Sequence, residues 1–393
     1  MGKKIGVIGG LGRIGLVISA VLSENNDVEV YDVNKKAIEK FKLEKKANFF
    51  EPQLNSLLQS SCPKIVNTLS ELLCNNHFIF ITIGTSVDKY LNPDLKPIFS
   101  LFREIKEILL HLGVERTFII SSTVYPGVTK KIQTLLGKSN PVVFCPERMS
   151  TGSMIEEFKT FNQIVSANNW IVLDSVCKLF EDSGIKTEEL FDTTNGELAK
   201  LFTNAYRYIS FSISNYFYML CDDMGCDFYD IYDTIKQEYP RMKDFYKPLY
   251  TGGSCLIKDT LQLASVTNSF QLGYAAYRIN EHLPLHIFRK VRSLFFEDLK
   301  NITVGILGMA FKGNTDDNRD SLAYRLRNLF SNECKKVICS DPFIEDPSFL
   351  SMEEVISNSD VIIIGAYHDD YLNVDFRKIN VPIIDVFNQF KLE

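Results

Sequence analysis

The chain has 393 residues, of which 45% are hydrophobic and 23% charged, and its formal net charge is −6. This composition is typical of a globular protein with two or three domains and excludes a largely disordered chain. The acidic balance argues against a nucleic-acid partner, and the lack of a long apolar run argues against a membrane partner. The first residues also lack the apolar region of a secretory signal, which predicts a cytoplasmic protein.

A dinucleotide-binding pattern opens the chain. The run KKIGVIGGLGRIG predicts a strand at 5–8, followed by Gly10, Gly12 and Gly15 in the spacing G-x-G-x-x-G and by an apolar helix. We expect Gly10 at the tight turn, Gly12 beside a pyrophosphate and Gly15 at the contact between helix and strand. A second strand ends at Asp32, whose carboxylate suits ribose hydroxyls and repels a 2′-phosphate. The predicted cofactor is therefore NAD rather than NADP.

Three apolar, β-rich runs continue the α/β alternation: HFIFITIG (77–84), RTFIISSTV (116–124) and PVVFCPE (141–147). Ligands of doubly wound sheets bind outside the carboxyl ends of the strands. We therefore expect one crevice to be lined by polar residues that follow these runs, namely Thr85, Ser122, Thr123, Glu147 and Arg148. For any one of them, a helix cap or a loop hydrogen bond is the alternative.

A long helix is predicted over 193–225, with Gly225 as its stop signal. Glu197, Lys200 and Asn204 share one helical face because they are spaced i, i+3, i+7. A solvated stripe is a credible interpretation of Glu197. It is less credible for Asn204, which stands among apolar neighbours and would be costly to bury without a purpose.

A second strand–loop–helix unit begins near residue 301, and three more strands follow it. Its first loop carries Lys312, Asp316, Asp317 and Arg319, and the cations suit an anionic ligand. The predicted fold class is α/β, with two Rossmann-like doubly wound domains joined by a long central helix. We expect an NAD-binding domain over 1–187, a central helical region over 188–292, and a second α/β domain for an anionic ligand over 293–393.

The nine cysteines are scattered, form no C-x-x-C pair and do not cluster with the five histidines, so no metal site is expected. Most of them are expected to be small buried hydrophobes in a reducing compartment. Cys255 is different in context, because TGGSCLIKDT places two glycines before it and Lys258 and Asp259 after it. The residues alone leave two alternatives for Cys255, a buried thiol or a tuned nucleophile.

Several motifs in order resemble one family. They are GGLGRIG, SSTVYPGVT, CPERMSTG, GELAKLFTN, TGGSCLIKD and GMAFKGNTDDNRDS. Together they cover nearly the whole chain, which resembles the nucleotide-sugar 6-dehydrogenases, the group that contains UDP-glucose dehydrogenase and UDP-N-acetylmannosamine dehydrogenase. The resemblance implies oxidation of the sugar's primary alcohol to a carboxylate with two NAD, and a UDP-sugar as the substrate.

The resemblance also implies that the central region, 188–292, serves dimerisation and catalysis and that the last domain, 293–393, binds the nucleotide sugar. It implies roles for individual residues as well. Cys255 would form a thiohemiacetal and then a thioester. Lys200 and Asn204 would stabilise negative charge on oxygen. Asp259 and Thr123 would hold water, and Glu147 would act as the base in thioester hydrolysis.

Further contacts are implied for both ligands. Cofactor contacts are expected from Gly10, Gly12, Arg13, Ile14, Gly15, Asp32, Thr85, Ser122, Thr123 and Lys258. Substrate contacts are expected from Glu147, Arg148, Met149, Lys200, Asn204, Arg241, Tyr250, Gly252, Phe311, Lys312 and Arg319.

The substrate class is suggested by details of the motifs. Arg241 lies fourteen residues before Cys255, and this short spacing with CPERMSTG resembles the UDP-N-acetylhexosamine members, although those often carry histidine in place of Ser254. An arginine of this type reaches the neighbouring subunit in the family, so a homodimer or higher homo-oligomer is implied. Phe387 stands where the family often has arginine, which puts that substrate contact in doubt.

Four interpretations therefore stand. The first is a UDP-N-acetylmannosamine or UDP-N-acetylglucosamine 6-dehydrogenase that supplies precursors of a surface polysaccharide. The second is a UDP-glucose 6-dehydrogenase. The third is a two-domain dehydrogenase of the hydroxyacid or 6-phosphogluconate type, which transfers a single hydride and needs no thiol. The fourth is a non-catalytic nucleotide-sugar sensor, against which the joint presence of Cys255, Lys200, Asn204 and Asp259 argues.

Overall fold

A computed structural model describes residues 2–85, 94–266 and 270–390. The chain forms two compact units, Met1–Phe202 and Thr203–Glu393. The 31-residue helix α9 (Thr193–Asp223) contains the boundary between them. It ends just before Gly225, which adopts a left-handed φ of 68°, so the predicted helix and its stop are confirmed.

Unit 1 alternates strands and helices along the chain. Its strands are β1 (Lys4–Ile8), β2 (Asp27–Tyr31), β3 (Lys64–Ile65), β4 (Phe78–Ile81), β5 (Thr117–Ile120), β6 (Val142–Phe144), β7 (Gln163–Ala167) and β8 (Thr187–Phe191). Its helices before α9 are α1 (Arg13–Leu22), α2 (Lys35–Glu44), α3 (Leu54–Ser60), α4 (Leu69–Asn75), α5 (Lys96–Leu112), α6 (Val128–Leu136), α7 (Met154–Thr160) and α8 (Trp170–Glu181).

The strands of unit 1 form one sheet in the order β3-β2-β1-β4-β5-β6-β7-β8. Its pairs are parallel except for β6 and β7, which are antiparallel. Alternate residues of the central strands enter two different cores: Val7 and Phe80 belong to one, and Ile8 and Ile81 to the other. Helices therefore cover both faces of the sheet, as the near-continuous apolar strands predict.

Unit 2 contains a helical part followed by a second sheet. Its helices are α10 (Phe228–Lys236), α11 (Ser254–Val266), α12 (Gln271–Leu294), α13 (Leu322–Ser331) and α14 (Met352–Asn358), with short 3₁₀ turns at Pro240–Met242, Asp369–Asn373 and Phe376–Lys378. Its strands are β9 (Thr303–Leu307), β10 (Lys336–Ser340), β11 (Val361–Ile364) and β12 (Ile383–Ile384).

The second sheet is parallel throughout and has the order β10-β9-β11-β12. Its first strand, β9, lies in the middle, as β1 does in the larger sheet. The predicted class, two Rossmann-like α/β parts with a long central helix, is confirmed. Among residues 2–85, 94–266 and 270–390, no helix is both long and apolar enough to cross a membrane.

Candidate functional site

The glycine-rich turn of unit 1 is built by close backbone packing. Gly9 adopts the left-handed φ of 79°, so the sharp turn depends on Gly9 rather than on Gly10 as expected. Gly10 is needed for a different reason, because a Cβ there would lie 2.6 Å from the Cβ of Val30. A Cβ at Gly15 would lie 2.2 Å from the carbonyl oxygen of Gly9, which explains the close contact between helix and strand.

Gly12 leaves room at the start of α1. The nearest atom to a Cβ at this position would be the carbonyl oxygen of Gly9, at 3.4 Å. The helix begins at Arg13, so its first N–H groups face this open side and favour a negatively charged group. Ile14 packs against the core of the unit.

A cleft of about 280 Å³ adjoins this turn. Its lining residues are Leu11, Gly12, Arg13, Asp32, Asn34, Ala37, Asn48 and Phe49. The carboxylate of Asp32 accepts hydrogen bonds from the main-chain N–H groups of Leu11 at 3.0 Å and Asn34 at 2.9 Å. A carboxylate has about four acceptor positions, so Asp32 retains capacity for ribose hydroxyls. The cleft therefore fits the adenosine part of a dinucleotide.

Two of the lining residues, Arg13 and Phe49, form a cation–aromatic pair. The guanidinium of Arg13 lies 5.0 Å from the centre of the Phe49 ring. This stack holds Arg13 at the first turn of α1, where its charge adds to that of the helix N-terminus. Of the predicted cofactor residues of this segment, Gly12, Arg13 and Asp32 line the cleft, whereas Gly10, Ile14 and Gly15 serve the packing of the turn.

Three predicted residues meet at the carboxyl ends of β4 and β5. The hydroxyl of Thr85 donates to the carbonyl oxygen of Thr123 at 2.6 Å. The hydroxyl of Ser122 donates to the carbonyl oxygen of Ile83 at 2.7 Å. These bonds tie the two strand ends together, so the loop hydrogen bonding considered as an alternative is present for Thr85 and Ser122.

Glu147 and Lys200 form a nearly buried pair in unit 1. The ammonium of Lys200 donates to the main-chain carbonyl oxygen of Glu147 at 2.7 Å and lies 3.5 Å from its Oε1. The side chain of Lys200 is 7% exposed and that of Glu147 is 13% exposed, so both charges are largely removed from water. The second carboxylate oxygen of Glu147 accepts the N–H of Met149 at 3.0 Å. A cation and a carboxylate at this distance can share a proton through a bound water or substrate oxygen.

The two residues after Glu147 have structural contacts. The guanidinium of Arg148 donates to the main-chain carbonyl oxygen of Asn162. The side chain of Met149 packs against the core. Arg148 and Met149 thus follow Glu147 directly in the chain, and the side chains of both make contacts within the protein.

Glu197 is buried, so the alternative interpretation of it as part of a solvated stripe is wrong. Its carboxylate accepts the main-chain N–H groups of Gly127 at 2.5 Å and Thr129 at 2.8 Å, and the Thr129 hydroxyl at 2.6 Å. Burial raises the pKa of Glu197, and these donors oppose that shift. The side chain caps α6, so a polar residue that seemed to face solvent instead satisfies the first N–H groups of another helix.

The segment before Cys255 is held by a buried amide in unit 2. Asn215 on α9 accepts the N–H of Leu249 at 2.9 Å and donates to the carbonyl oxygen of Leu249 at 3.0 Å. Its amide also reaches Thr251 and Asn280, at 3.3 and 2.9 Å. Both asparagines are fully buried. Sequence reasoning missed them, because polar neighbours such as Ser214 and Glu281 give neither asparagine a local signal of burial.

The two glycines before Cys255 pack against the loop that follows β9. A Cβ at Gly252 would lie 2.8 Å from the carbonyl oxygen of Asp320. Gly253 has a left-handed φ of 85°, and a Cβ there would lie 2.9 Å from the ring of Phe311. Close approach, rather than a flexible turn, is what these glycines provide.

Cys255 is exposed on the first turn of α11, so the interpretation of it as a buried thiol is wrong. More generally, only Cys145, Cys177 and Cys339 are buried, which also contradicts the expectation that most cysteines would be. A thiol near the N-terminus of a helix is close to its partial positive charge, which favours the thiolate.

The guanidinium of Arg319 interacts electrostatically with Cys255. Its guanidinium forms a two-point ion pair with Asp317, at 2.8 and 2.6 Å. The hydrogen bond that Arg319 donates to Asp317 raises the pKa of Arg319, and the negative charge of a Cys255 thiolate acts in the same direction. By the same interaction, the guanidinium charge stabilises the thiolate.

Asn204 and Asp259 are in direct contact inside unit 2. The Asn204 amide donates to Oδ2 of Asp259 at 2.6 Å, and both residues are buried, as expected for Asn204. The ammonium of Lys258 lies 3.6 Å from the other oxygen of Asp259. Because Asp259 stands one turn after Cys255 on α11, this polar cluster is carried by the same helix as the thiol.

Other predicted substrate residues occupy different environments in unit 2. Arg241 is exposed on a 3₁₀ turn, and its guanidinium carbon lies 6.0 Å from the ring centre of Tyr239. Lys312 is half-buried in the loop after β9. Tyr250 is buried and packs on Phe387, whose ring centre is 5.6 Å away. Phe387 thus provides aromatic packing at the position where an arginine was the family expectation.

Comparison with known proteins identifies the parts of the chain. Residues 3–181, 194–282 and 305–391 match three models of the UDP-glucose/GDP-mannose dehydrogenase family, which describe its NAD binding domain, its central domain and its UDP binding domain. A UDP-N-acetyl-D-mannosamine dehydrogenase of Pyrococcus horikoshii is 28% identical, over 96% of this chain and 92% of that protein. A UDP-glucose 6-dehydrogenase of Rickettsia prowazekii is 25% identical, over 94% and 91%.

Solved structures agree in fold. A UDP-N-acetylmannosamine dehydrogenase from Pyrococcus horikoshii superposes with a TM-score of 0.85 at 26% identity, covering 96% of this chain and 93% of that one. A UDP-glucose dehydrogenase from Pyrobaculum islandicum gives 0.89 at 22% identity, covering 100% and 96%, which supports the fold alone. NAD is thus the cofactor for which the cleft at Asp32 is suited.

The contribution of Asp32 to cofactor choice is testable. Asp32→Asn removes the charge that repels a 2′-phosphate but keeps an acceptor oxygen for Leu11. We expect the ratio of kcat/KM for NADP over NAD to rise about tenfold, the effect of one modest charge interaction. Asp27→Asn, which neutralises an exposed carboxylate on the same strand, is the control. An unchanged ratio in Asp32→Asn would show that Asp32 does not set the preference.

Proposed function

The chain belongs to the UDP-glucose/GDP-mannose dehydrogenase family, and from this premise we propose that it oxidises the primary alcohol of a UDP-N-acetylhexosamine to a carboxylate. UDP-N-acetylmannosamine or UDP-N-acetylglucosamine is the proposed substrate, and the product is a uronate precursor of a surface polysaccharide. The observation that carries the four-electron reaction is the exposed thiol of Cys255 at the start of α11, whose thiolate interacts electrostatically with Arg319.

A thiol is needed because the second oxidation requires a tetrahedral carbon that still carries hydrogen. The Cys255 thiolate attacks the intermediate aldehyde and forms a C–S bond, giving a thiohemiacetal. The residues of the cleft at Asp32 would hold NAD, which would supply the hydride acceptor for both oxidations, so two NAD would be consumed per product. The resulting thioester reacts with water, which breaks the C–S bond, releases the carboxylate and returns the thiol.

The polar residues are assigned the remaining tasks. The Lys200 ammonium and the Asn204 amide stabilise charge on the reacting oxygen. Glu147, which touches Lys200 in unit 1, removes a proton from the hydrolytic water. Asp259, fixed by Asn204, and Thr123 hold water molecules. The Lys200–Glu147 contact in unit 1 and the Asn204–Asp259 contact in unit 2 support this assignment.

The proposed nucleotide site is the loop after β9. Lys312 and Arg319 supply positive charge in a chain whose net charge is −6, which suits the diphosphate of a UDP-sugar. Phe311 adds an aromatic surface next to Gly253. The matching of residues 305–391 to a UDP binding domain supports this assignment.

The choice of an N-acetylated sugar is supported by the relatives. Proteins named UDP-N-acetyl-D-mannosamine dehydrogenase match at 25 to 28% identity, and those named UDP-glucose 6-dehydrogenase at 24 to 25%. The spacing of Arg241 from Cys255 favours the same class. UDP-glucose is therefore the second candidate substrate.

We also propose that the protein is a homodimer. Five apolar residues, four on one face of α9 and Met224 directly after its end, are between 42% and 69% exposed: Tyr206, Ile213, Phe217, Leu220 and Met224. Their spacing of seven, four, three and four residues matches the seam of two packed helices, which a second copy of the same helix can complete. Light scattering should give twice the chain mass of 44.9 kDa.

A charge in this seam should separate the dimer. Ile213→Glu is expected to give the mass of one chain, whereas Leu372→Glu, at an exposed leucine on a different element, should not. A wild-type protein that runs as a single chain would contradict the dimer.

A substrate panel tests the function. Purified protein is supplied with NAD and, in turn, UDP-N-acetylmannosamine, UDP-N-acetylglucosamine, UDP-glucose, GDP-mannose or 6-phosphogluconate, and NADH formation is followed. The highest kcat/KM is expected with a UDP-N-acetylhexosamine. A preference for UDP-glucose would overturn the sugar assignment, and turnover of 6-phosphogluconate alone would overturn the reaction class.

The nucleophile has a test of its own. Cys255→Ser should fold and bind NAD and the UDP-sugar, but lose roughly a thousandfold or more in kcat, because a serine hydroxyl is far less ionised than a thiol of pKa about 8.5. Cys226→Ser, at another exposed cysteine, should retain activity. Near-normal turnover by Cys255→Ser would exclude the thioester route.

A further inference from the structure

A buried histidine–aspartate pair supports the loop after β9. We propose that His368 and Asp341 are positioning residues that hold residues 308–314, and with them Phe311 and Lys312, in the geometry that binds the nucleotide half of the substrate. The identity of that ligand rests on the proposed function, whereas the support of the loop rests on contacts within unit 2 alone.

His368 holds the far end of the loop through its ring. It follows β11, and its side chain and that of Asp341 are both 0% exposed. The main-chain N–H of Asn314 donates to Nδ1 of His368 at 2.9 Å. Because Nδ1 accepts, the neutral ring carries its proton on Nε2, which donates to Oδ2 of Asp341 at 3.2 Å.

Asp341 holds the near end of the same loop. Its Oδ2 also accepts the N–H groups of Met309 at 2.6 Å and Ala310 at 2.9 Å. Burial opposes ionisation of Asp341, but the hydrogen bonds from His368 and the backbone outweigh it and lower the pKa of the carboxyl below its ordinary value. One carboxylate oxygen thus collects three donors, and both ends of the loop converge on it.

The backbone of the loop is in close contact with the segment that carries His368. A Cβ at Gly308 would lie 2.3 Å from the carbonyl oxygen of Ala366, and a Cβ at Gly313 would lie 1.9 Å from that of Tyr367. Asn314 has a left-handed φ of 56°, and its side chain accepts the N–H of Asp369 at 2.9 Å. A strained residue in this place needs surrounding contacts that fix it.

The residues between the two anchors face the catalytic segment. The ring of Phe311 packs on Gly253, two residues before Cys255. The N–H of Phe311 donates to the carbonyl oxygen of Asp317 at 3.0 Å, and Asp317 in turn pairs with Arg319. A shift of the loop at Asn314 would therefore displace Lys312 and disturb the surface against which the thiol segment packs.

A purely structural role makes a different prediction. The ring of His368 also packs against Phe343 and Tyr371, with centres 5.1 and 5.3 Å away. If packing were the only role of His368, any smaller side chain would lower the stability of the fold without a selective rise in KM for the UDP-sugar.

Two amide substitutions separate these roles. His368→Asn can place an oxygen where Nδ1 lies and so keeps an acceptor for Asn314. His368→Gln can reach toward Asp341 from the place of Nε2 but leaves the Asn314 N–H without an acceptor. His286→Gln is the matched control, because His286 is another buried histidine with an aspartate partner, Asp222 Oδ2 at 2.7 Å, on a different element.

The variants are compared by kinetics and by hydrogen exchange in the full-length protein. His368→Gln should raise KM for the UDP-sugar about tenfold, the cost of one lost buried hydrogen bond, with little change in KM for NAD. Without substrate, amides 309–315 should exchange about tenfold faster in this variant. His368→Asn and His286→Gln should remain near the wild type in both measurements.

Equal KM values and equal loop exchange in the Asn and Gln variants would overturn the proposal. Nitrogen NMR of the wild type gives a check that needs no variant, since a proton on Nδ1 of His368 would also overturn it. If the wild type oxidises no UDP-sugar, the proposed function fails, and the exchange of residues 309–315 still decides whether His368 positions the loop.

Discussion

The pairing of Asn215 with the main chain of Leu249 is the contact on which the thiol site depends. An asparagine amide that both donates to and accepts from one residue replaces the ladder of a neighbouring strand, so it fixes the segment without a sheet. The amide is fully buried, and an unpaired N–H or C=O there would cost roughly 1–3 kcal/mol. From Leu249 the chain runs directly to Gly252 and Gly253 and to the start of α11, which sets where Cys255 is presented.

In each sheet, a carboxylate that follows one strand accepts N–H groups from the loop after the neighbouring strand, but the two carboxylates have different roles. In unit 1, Asp32 follows β2 and accepts an N–H from the loop after β1, yet it borders an open cleft and retains acceptor capacity. In unit 2, Asp341 follows β10 and accepts two N–H groups from the loop after β9, but it is buried and bonded to His368. The first carboxylate is suited to a ribose, whereas the second is committed to holding its own loop.

Local patterns were sufficient to predict the elements that position the site. The apolar runs predicted β1, β2, β4, β5 and β6 and the strands of the second sheet, because a buried parallel strand must be apolar on both faces. The order of strand, glycines, helix and acidic strand end predicted the cofactor cleft. The stop signal at Gly225 helped to predict α9, and the apolar neighbours of Asn204 predicted its burial.

Contacts between distant segments could not be predicted in this way. Glu197 is 68 residues from Thr129, and nothing near either residue shows that the carboxylate caps α6. The antiparallel pairing of β7 with β6 likewise has no signal in the residues near either strand. Gly253, two residues before the exposed Cys255, packs against Phe311, which is 58 positions away. No local pattern shows this contact, so the sequence left both alternatives for the thiol open.

The reaction stoichiometry tests the central claim, that a thiol carries the substrate through two oxidations. A limiting amount of the UDP-sugar that the enzyme prefers is consumed completely with excess NAD, and NADH and the sugar product are both quantified. The account predicts two NADH for each sugar and a carboxylate product. One NADH for each sugar, with a ketone or aldehyde product, would contradict it.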